Sequence, residues 1–145
     1  MKIINELLDY TDWKYPDVYG FTSNSVVKSN GELVMGGGAA LAVKKAHPHV
    51  PKLIGKSLNH KKTVFDIIKI KENTLLFWFQ TKNHYNEPSN INLIKKATKE
   101  LNKVALENPD VIFHFNAPGI GLVNLKWEVI LHIIEVLPNN VRVYI

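Results

Sequence analysis

Cysteine is absent from this chain of 145 residues, and Arg142 is the only arginine among its 18 basic residues. Without a thiol the chain forms no disulfide and offers no thiolate nucleophile, which suits a reducing, cytoplasmic compartment. Nucleic-acid sites depend on arginine for bidentate contacts with bases and phosphates. A basic surface made almost wholly of lysine therefore argues against a nucleic-acid partner, although the net charge of +5 would attract a small anion.

Long apolar runs are also missing. No stretch approaches the roughly 20 residues that cross a bilayer, and the N-terminal segment, with one early lysine and several acidic residues, is not a signal peptide. We therefore expect no membrane partner. Metal-ligand spacings such as HExxH do not occur, so no metal and no other cofactor is predicted. With 46% hydrophobic and 21% charged residues and no repeat or linker, residues 1–145 are predicted to form one globular domain.

Hydrophobic periodicity predicts alternating strands and helices. Strands are expected at residues 2–4, 17–22, 63–70, 74–81, 111–115 and 141–145, and helices at 39–47, 88–108 and 127–137. The strands on either side of residues 72–73 predict a hairpin. The alternation over the second half of the chain predicts parallel strand pairs with helices on both faces of the sheet. Such sheets bind ligands beyond the carboxyl ends of their strands.

Two glycine-bearing loops lie where such a ligand is expected. The first, Gly36-Gly-Gly-Ala39, opens directly into a helix, whose unpaired N–H groups and positive dipole end favour an anion. The second, residues 116–122, leaves a strand and enters the helix at Trp127. Neither loop matches the GxGxxG or P-loop fingerprint, and each alone is compatible with an ordinary connection. Together they suit a diphosphate held by main-chain N–H groups without a metal.

The segments around these loops resemble the macro domain family. The resemblance covers nearly the whole chain in order, and it lies in Phe21-Thr-Ser-Asn24, Val34-Met-Gly-Gly-Gly-Ala-Ala-Leu41, Pro118-Gly-Ile-Gly-Leu122 and Leu125-Lys-Trp127. Gln80-Thr-Lys82 is similar to the branch of terminal ADP-ribose protein glycohydrolases and ADP-ribose 1″-phosphate phosphatase-like proteins. The resemblance implies a three-layer α/β/α domain with a mixed, mostly parallel sheet that binds ADP-ribose or a derivative.

The resemblance also implies roles for particular residues. Asn24 would contact and orient the distal ribose, and Glu6 would accept a hydrogen bond from the adenine amino group. Because Asn5-Glu6-Leu7 departs from the family's Gly-Asp-Ile/Leu, Asp9 remains an alternative to Glu6. The two loops would wrap the diphosphate and the distal ribose through Gly36, Gly37, Gly38 and Ala39, and through Pro118, Gly119, Ile120, Gly121 and Leu122.

Catalysis in the glycohydrolase branch uses a lysine nucleophile assisted by an aspartate in the second loop. Lys82 matches that lysine, so Lys82 and Asn24 are the candidate catalytic residues. Val123 takes the place of the aspartate, and because valine transfers no proton, the Lys–Asp mechanism does not carry over intact. Other macro domains dephosphorylate ADP-ribose 1″-phosphate with a positioned water or a His–Asp pair. No histidine of this chain falls on a motif position for such a pair, although His84 follows Lys82 closely and Asp66 is a nearby carboxylate.

Three functions remain open on the sequence. The chain is a hydrolase of ADP-ribose 1″-phosphate or of ADP-ribosylated macromolecules, a non-catalytic ADP-ribose-binding module, or a basic nucleic-acid-binding domain whose glycine loops are turns. The missing aspartate favours binding over glycohydrolysis. It counts less against a phosphatase, because a backbone-held substrate and an activated water need few side chains. The scarcity of arginine counts against nucleic acid.

Overall fold

Six strands form one mixed sheet in the computed structural model, which describes residues 1–120 and 125–145. The strand order is β1-β6-β5-β2-β4-β3, and every pair is parallel except the antiparallel β3–β4 hairpin. The elements are β1 Lys2–Ile4, β2 Val18–Ser23, α1 Gly38–Ala46, α2 Val50–His60, β3 Phe65–Lys71, β4 Thr74–Gln80, α3 Ile91–Glu107, β5 Phe113–Asn116, α4 Trp127–Ile134 and β6 Val141–Tyr144. None of these helices is long and apolar enough to span a bilayer.

The predicted strands and three predicted helices are all present, and the hairpin prediction is confirmed. Helix α2 is not predicted by the sequence pattern, because Pro48 is expected to end helical structure in this region. Pro48 does separate the helices, since α1 ends at Ala46. A second helix then starts two residues later, with Pro51 in its first turn, where a missing N–H costs no hydrogen bond.

The sheet separates two hydrophobic cores. Phe77, Phe79, Phe113 and Phe115 pack with α3 and α4 on one face, and a second cluster around Trp78 packs with α1 and α2 on the other. Strand β4 contributes to both cores, which explains its almost unbroken apolar sequence. This arrangement is the three-layer α/β/α sandwich that was predicted.

Strand β5 is polar on one face, although the almost continuous apolar run of residues 111–115 predicts burial on both faces. Phe113 and Phe115 are fully buried against α3 and α4, whereas His114 and Asn116 alternate with them and are only half-buried. The face of β5 that carries His114 is therefore polar. The carboxyl end of this face, at Asn116, adjoins the predicted ligand site.

Helix α2 lies directly against the loop that precedes the glycine loop. The Leu33 N–H donates to the Pro51 carbonyl at 2.9 Å. Gly55 makes this approach possible, because a Cβ atom there would lie 1.9 Å from the Gly31 carbonyl oxygen. The loop between β2 and α1 is thus held by main-chain contacts with a helix that the sequence did not predict.

Acid should destabilise the fold partly through His47. This imidazole is 8% exposed, and its Nε2 donates to the Tyr10 carbonyl at 2.9 Å. Burial is the main cause that lowers the pKa of His47 in the folded state. The unfolded chain, with an ordinary histidine pKa of about 6.5, therefore takes up the proton first, and stability is lost as pH falls below about 6.5.

Chemical denaturation across this pH range tests the expectation. His47→Gln keeps a donor for Tyr10 but does not titrate, so its free energy of unfolding should depend less on pH than that of the wild type. His132→Gln is the matched control, because the His132 side chain is 87% exposed. Equal pH dependence in His47→Gln and the wild type would contradict the assignment.

Candidate ligand-binding site

The carboxyl ends of β2, β4 and β5 meet at one edge of the sheet and are tied together by hydrogen bonds. The Asn116 side chain accepts from the Thr22 N–H at 3.0 Å and donates to the Thr22 hydroxyl at 2.6 Å. On the other side, the Thr81 N–H donates to the Ser23 carbonyl at 2.9 Å. These bonds fix the strand ends relative to one another. The carboxyl ends of the strands therefore form a rigid platform, from which the following loops start. This is the edge where α/β sheets place their ligands.

Asn24 follows β2 and fastens the first loop. Its Oδ1 accepts from the Val26 N–H at 2.8 Å, and its Nδ2 donates to the Val34 carbonyl at 3.1 Å. Asn24 is 7% exposed. The side chain therefore joins the start of the loop to the residue that enters the glycine run. Among the described residues, none bonds to the second Nδ2 hydrogen or the second Oδ1 lone pair, and the predicted ribose contact stays a prediction.

The glycine run is open to solvent. Gly36, Gly37 and Gly38 are exposed, and a Cβ at any of them would meet no atom of the described residues within 4 Å. Gly37 is the N-cap of α1, no side chain within residues 1–120 and 125–145 caps that helix end, and the first turn carries no acidic residue. Gly38 adopts φ +57°, a left-handed conformation that favours glycine. The unpaired N–H groups of the first helical turn and the positive dipole end are thus accessible to an anion.

The second loop leaves β5, the strand that pairs with β2, and is anchored at its base. The Ala117 N–H donates to the Tyr144 carbonyl at 2.8 Å, and the Gly119 carbonyl accepts from the Leu125 N–H at 3.1 Å. Gly119 has φ +77°, and a Cβ there would contact the buried Ile130 at 2.9 Å. Pro118 is buried, whereas Ile120 is 38% exposed. The predicted contacts of Gly121 and Leu122 lie outside the described residues.

Lys82 stands at the end of β4, next to the Thr81–Ser23 bond. It is half-buried, and its carbonyl accepts from the Gln80 Nε2 at 3.1 Å. The same Gln80 amide donates to the Ser25 hydroxyl at 3.0 Å. Lys82 therefore belongs to the same platform as Asn24. Within residues 1–120 and 125–145, no carboxylate forms an ion pair with it.

His84 and Asp66 do not supply a His–Asp pair for Lys82. His84 Nδ1 accepts from the Asn86 N–H at 3.0 Å. The Asp66 carboxylate accepts from Ser57 Oγ at 2.5 Å and from Lys61 Nζ at 3.0 Å. Asp66 thus joins β3 to the end of α2. In the described part of the chain, no three His, Asp or Glu side chains are grouped so that they could hold a metal ion.

Glu6 follows β1 and is exposed at the outer end of the platform. Its carboxylate is close enough to raise the pKa of Tyr144, although burial is the larger cause of that rise. The alternative, Asp9, accepts from the N–H and the hydroxyl of Thr11 at 2.8 and 2.6 Å, and these bonds lower the pKa of Asp9. Because Asp9 closes its own turn, Glu6 is the better placed candidate.

Tyr144 has no functional signal in the sequence, where it is one aromatic position in the predicted last strand. Its Cα pairs with Ile4 of β1 and with Asn116 of β5. It therefore lies between the strand that leads to Glu6 and the strand that leads to the second loop. Thr22 and Asn116 were also missed as a pair, because no local signal connects residues 94 positions apart.

Comparison with known proteins identifies the fold of this chain. No protein-family model matches the chain, and no curated protein matches it. Solved structures do match. The macrodomain of Thermus aquaticus DarG has a TM-score of 0.78 at 23% identity, over 99% of this chain and 95% of that one. The macrodomain of Mycobacterium tuberculosis DarG has a TM-score of 0.75 at 21% identity, over 98% and 96%.

These scores, over nearly the full length of both chains, decide the architecture. The chain has the macrodomain fold. A third match with this fold is Thermosipho africanus DarTG, solved in complex with ADP-ribose, with a TM-score of 0.68 at 20% identity over 88% of this chain and 37% of that one. The expectation of a macrodomain-type α/β/α sandwich is thereby confirmed. The glycine run, Asn24, Lys82 and Tyr144 all lie at the carboxyl edge of the macrodomain sheet or in the loops that leave it.

Proposed function

We propose that this chain binds ADP-ribose or a close derivative across the carboxyl edge of its sheet. The observation that carries the proposal is the open start of α1, where three exposed glycines leave the N–H groups of an uncapped helix accessible. An anion is stabilised there by the N–H groups and by the helix dipole. The second loop lies on the same platform, so the two loops suit a diphosphate between them. A macrodomain-fold neighbour solved with ADP-ribose supports this choice of diphosphate.

Each end of the ligand has a candidate partner. Asn24 and Lys82 would face the distal ribose, because the Thr81–Ser23 bond brings the ends of β2 and β4 together. Glu6 would face the adenine at the other end, beyond β6 and β1. Gly36, Gly37, Gly38 and Ala39 would hold the diphosphate from one side, and Pro118, Gly119, Ile120, Gly121 and Leu122 from the other.

Calorimetric titration with ADP-ribose, with AMP as the control ligand, tests the proposal. AMP lacks the second phosphate and the distal ribose, so it should bind much more weakly if both loops and Asn24 contribute. Comparable affinity for the two ligands would contradict the proposal that both loops bind a diphosphate. No heat with either ligand from a folded sample would refute ADP-ribose binding, and the glycine loops would then be structural.

Hydrolysis of the bound ligand is the second candidate function, and the position of Lys82 favours it. A lysine on the same platform as Asn24 would act at the distal ribose, from which a macromolecule or a phosphate would leave. Since Val123 replaces the assisting aspartate, the chain would hydrolyse with Lys82 as a nucleophile or with a positioned water. ADP-ribose 1″-phosphate and ADP-ribosylated macromolecules are the substrates to test.

Lys82→Ala separates these two routes. If Lys82 is the nucleophile, product formation in single-turnover assays should fall to the background rate, whereas the affinity for ADP-ribose should change little. Lys103→Ala is the matched control, because Lys103 is an exposed lysine on α3. Full activity of Lys82→Ala would leave attack by water as the better account.

A further inference from the structure

A groove of about 360 Å³ opens to solvent between α3 and α4. Both helices begin beyond the carboxyl edge of the sheet, where the ligand site is proposed. The groove starts one turn into α3, at Lys95, and its lining residues on α4 come from the last turn, at His132, and from the residues after it. None of its lining residues belongs to the proposed ligand site. A partner in this groove would therefore leave the glycine loops open.

The α3 side of the groove carries positive charge. Lys95 and Lys99 lie four residues apart on the same face of the helix, and both are exposed and line the groove. In the part of the chain that the structure describes, neither lysine forms an ion pair and no carboxylate lines the groove. Glu135, at the end of α4, pairs with His132 at 3.3 Å. The charge of the two lysines thus favours an anionic partner.

The α4 side of the groove is aliphatic. Ile133 lines it from the last turn of the helix, and Val136, which follows the helix, is 59% exposed. On α3, Leu106 lies one turn beyond Asn102 on the same face and is 60% exposed. Exposed aliphatic side chains beside a pair of lysines are complementary to a segment with apolar residues on one face and acidic residues on another.

Thr98 lies at the base of the groove and lacks a hydrogen-bond partner. It is 3% exposed, and its hydroxyl bonds to no residue that the structure describes. Buried hydroxyls are normally hydrogen-bonded, because an unpaired one costs free energy. A hydroxyl can donate as well as accept. A carboxylate that enters the groove would supply the missing acceptor.

We propose that the α3–α4 groove binds an acidic, amphipathic segment of a partner protein. Its aliphatic side chains would pack against Ile133 and Val136, and its carboxylates would face Lys95 and Lys99. A nucleic acid fits less well, because the described lining residues include no aromatic ring for base stacking and no arginine. A second copy of the chain also fits less well, because each copy carries a net charge of +5.

Fluorescence anisotropy with two helical peptides tests this assignment. One contains leucine at positions i, i+3, i+4 and i+7 with glutamate and alanine elsewhere, and the other has lysine in place of glutamate. The wild type should bind the glutamate peptide at least about tenfold more tightly. The double variant Lys95→Glu, Lys99→Glu should reverse this preference. The matched control is Lys52→Glu, Lys56→Glu, an exposed pair with the same spacing on α2, which should keep the wild-type preference.

Thr98→Val separates a role in binding from a role in folding. Valine keeps the shape of the side chain and removes the hydroxyl, so the affinity for the glutamate peptide should fall about threefold to tenfold. Because the hydroxyl has no partner among the described residues, the free energy of unfolding should stay the same or increase. Lower stability with unchanged peptide affinity would show that the hydroxyl serves the fold alone.

Several results would overturn the proposal. These are equal affinity of the wild type for the two peptides, binding of neither peptide, and an equal loss of preference in the α2 control. Tighter binding of a single-stranded oligonucleotide, abolished in the Lys95→Glu, Lys99→Glu variant, would assign the groove to nucleic acid instead. A dimer in sedimentation that dissociates in that variant would assign it to a second copy. The affinity of the variant for ADP-ribose should match that of the wild type, because the groove and the ligand site share no residue.

Discussion

Gly37→Glu is expected to abolish ADP-ribose binding without disturbing the fold. Gly37 has φ −157°, an extended conformation that any residue adopts, and its Cβ position is in open space. A carboxylate at the start of α1 is even favourable for the helix, because it faces the positive dipole end. The new charge would, however, occupy the anion site. Repulsion between two unit charges 4 Å apart is about 4 kcal/mol at an effective dielectric constant of 20, so affinity should fall at least about a hundredfold.

Calorimetry and thermal unfolding of the same samples check this result. Gly37→Ala is the matched control, because its methyl group meets no atom and adds no charge, and it should bind within a few-fold of the wild type. Gly38 is unsuitable for such a control, since its φ of +57° would strain any other residue. Undiminished affinity in a folded Gly37→Glu protein would show that the first glycine loop is not part of the ligand site.

Gly55→Ala should strongly destabilise the fold, although alanine is normally the better residue inside a helix by about 0.5–1 kcal/mol. The added Cβ would lie 1.9 Å from the Gly31 carbonyl oxygen, 2.9 Å from the Gly31 carbonyl carbon and 3.2 Å from the Leu33 nitrogen. All three are main-chain atoms, so no side-chain rotation relieves the clash. Overpacking of this kind typically costs 1–3 kcal/mol, and we expect a net loss of about 2 kcal/mol or more.

Denaturant unfolding measures this loss directly. Asn59→Ala is the matched control, because it is an exposed position on the same helix and should be neutral or slightly stabilising. A Gly55→Ala protein as stable as the wild type would mean that α2 can move away from the loop at little cost. In that case α2 would not be the element that holds the start of the glycine loop.

The elements of the fold were largely predictable because they depend on local patterns. The alternation in β6, the helical spacing of Ile94, Ala97 and Leu101, and the asparagine N-cap before α3 each depend on a few neighbouring residues. Local patterns do not predict helix α2, because its apolar stripe of Val50, Ile54 and Leu58 is short and directly follows a proline that ends a helix. The polar face of β5 could not be predicted from the sequence, because the order of the strands in the sheet determines which face of β5 a helix covers.

The features of the candidate site are likewise of two kinds, those that the sequence predicts and those that depend on the tertiary structure. The chain by itself determined that two glycine loops exist, that one of them opens a helix, and that no thiol and almost no arginine take part, since composition and neighbouring residues suffice for these statements. Only the tertiary structure decided that Asn116 binds Thr22 across 94 positions and that Asp17 reaches His114 across 97. Such pairs have no local signature, because they form only when the strand order brings β2, β5 and β6 side by side, and that order results from the packing of the whole sheet against both helical layers.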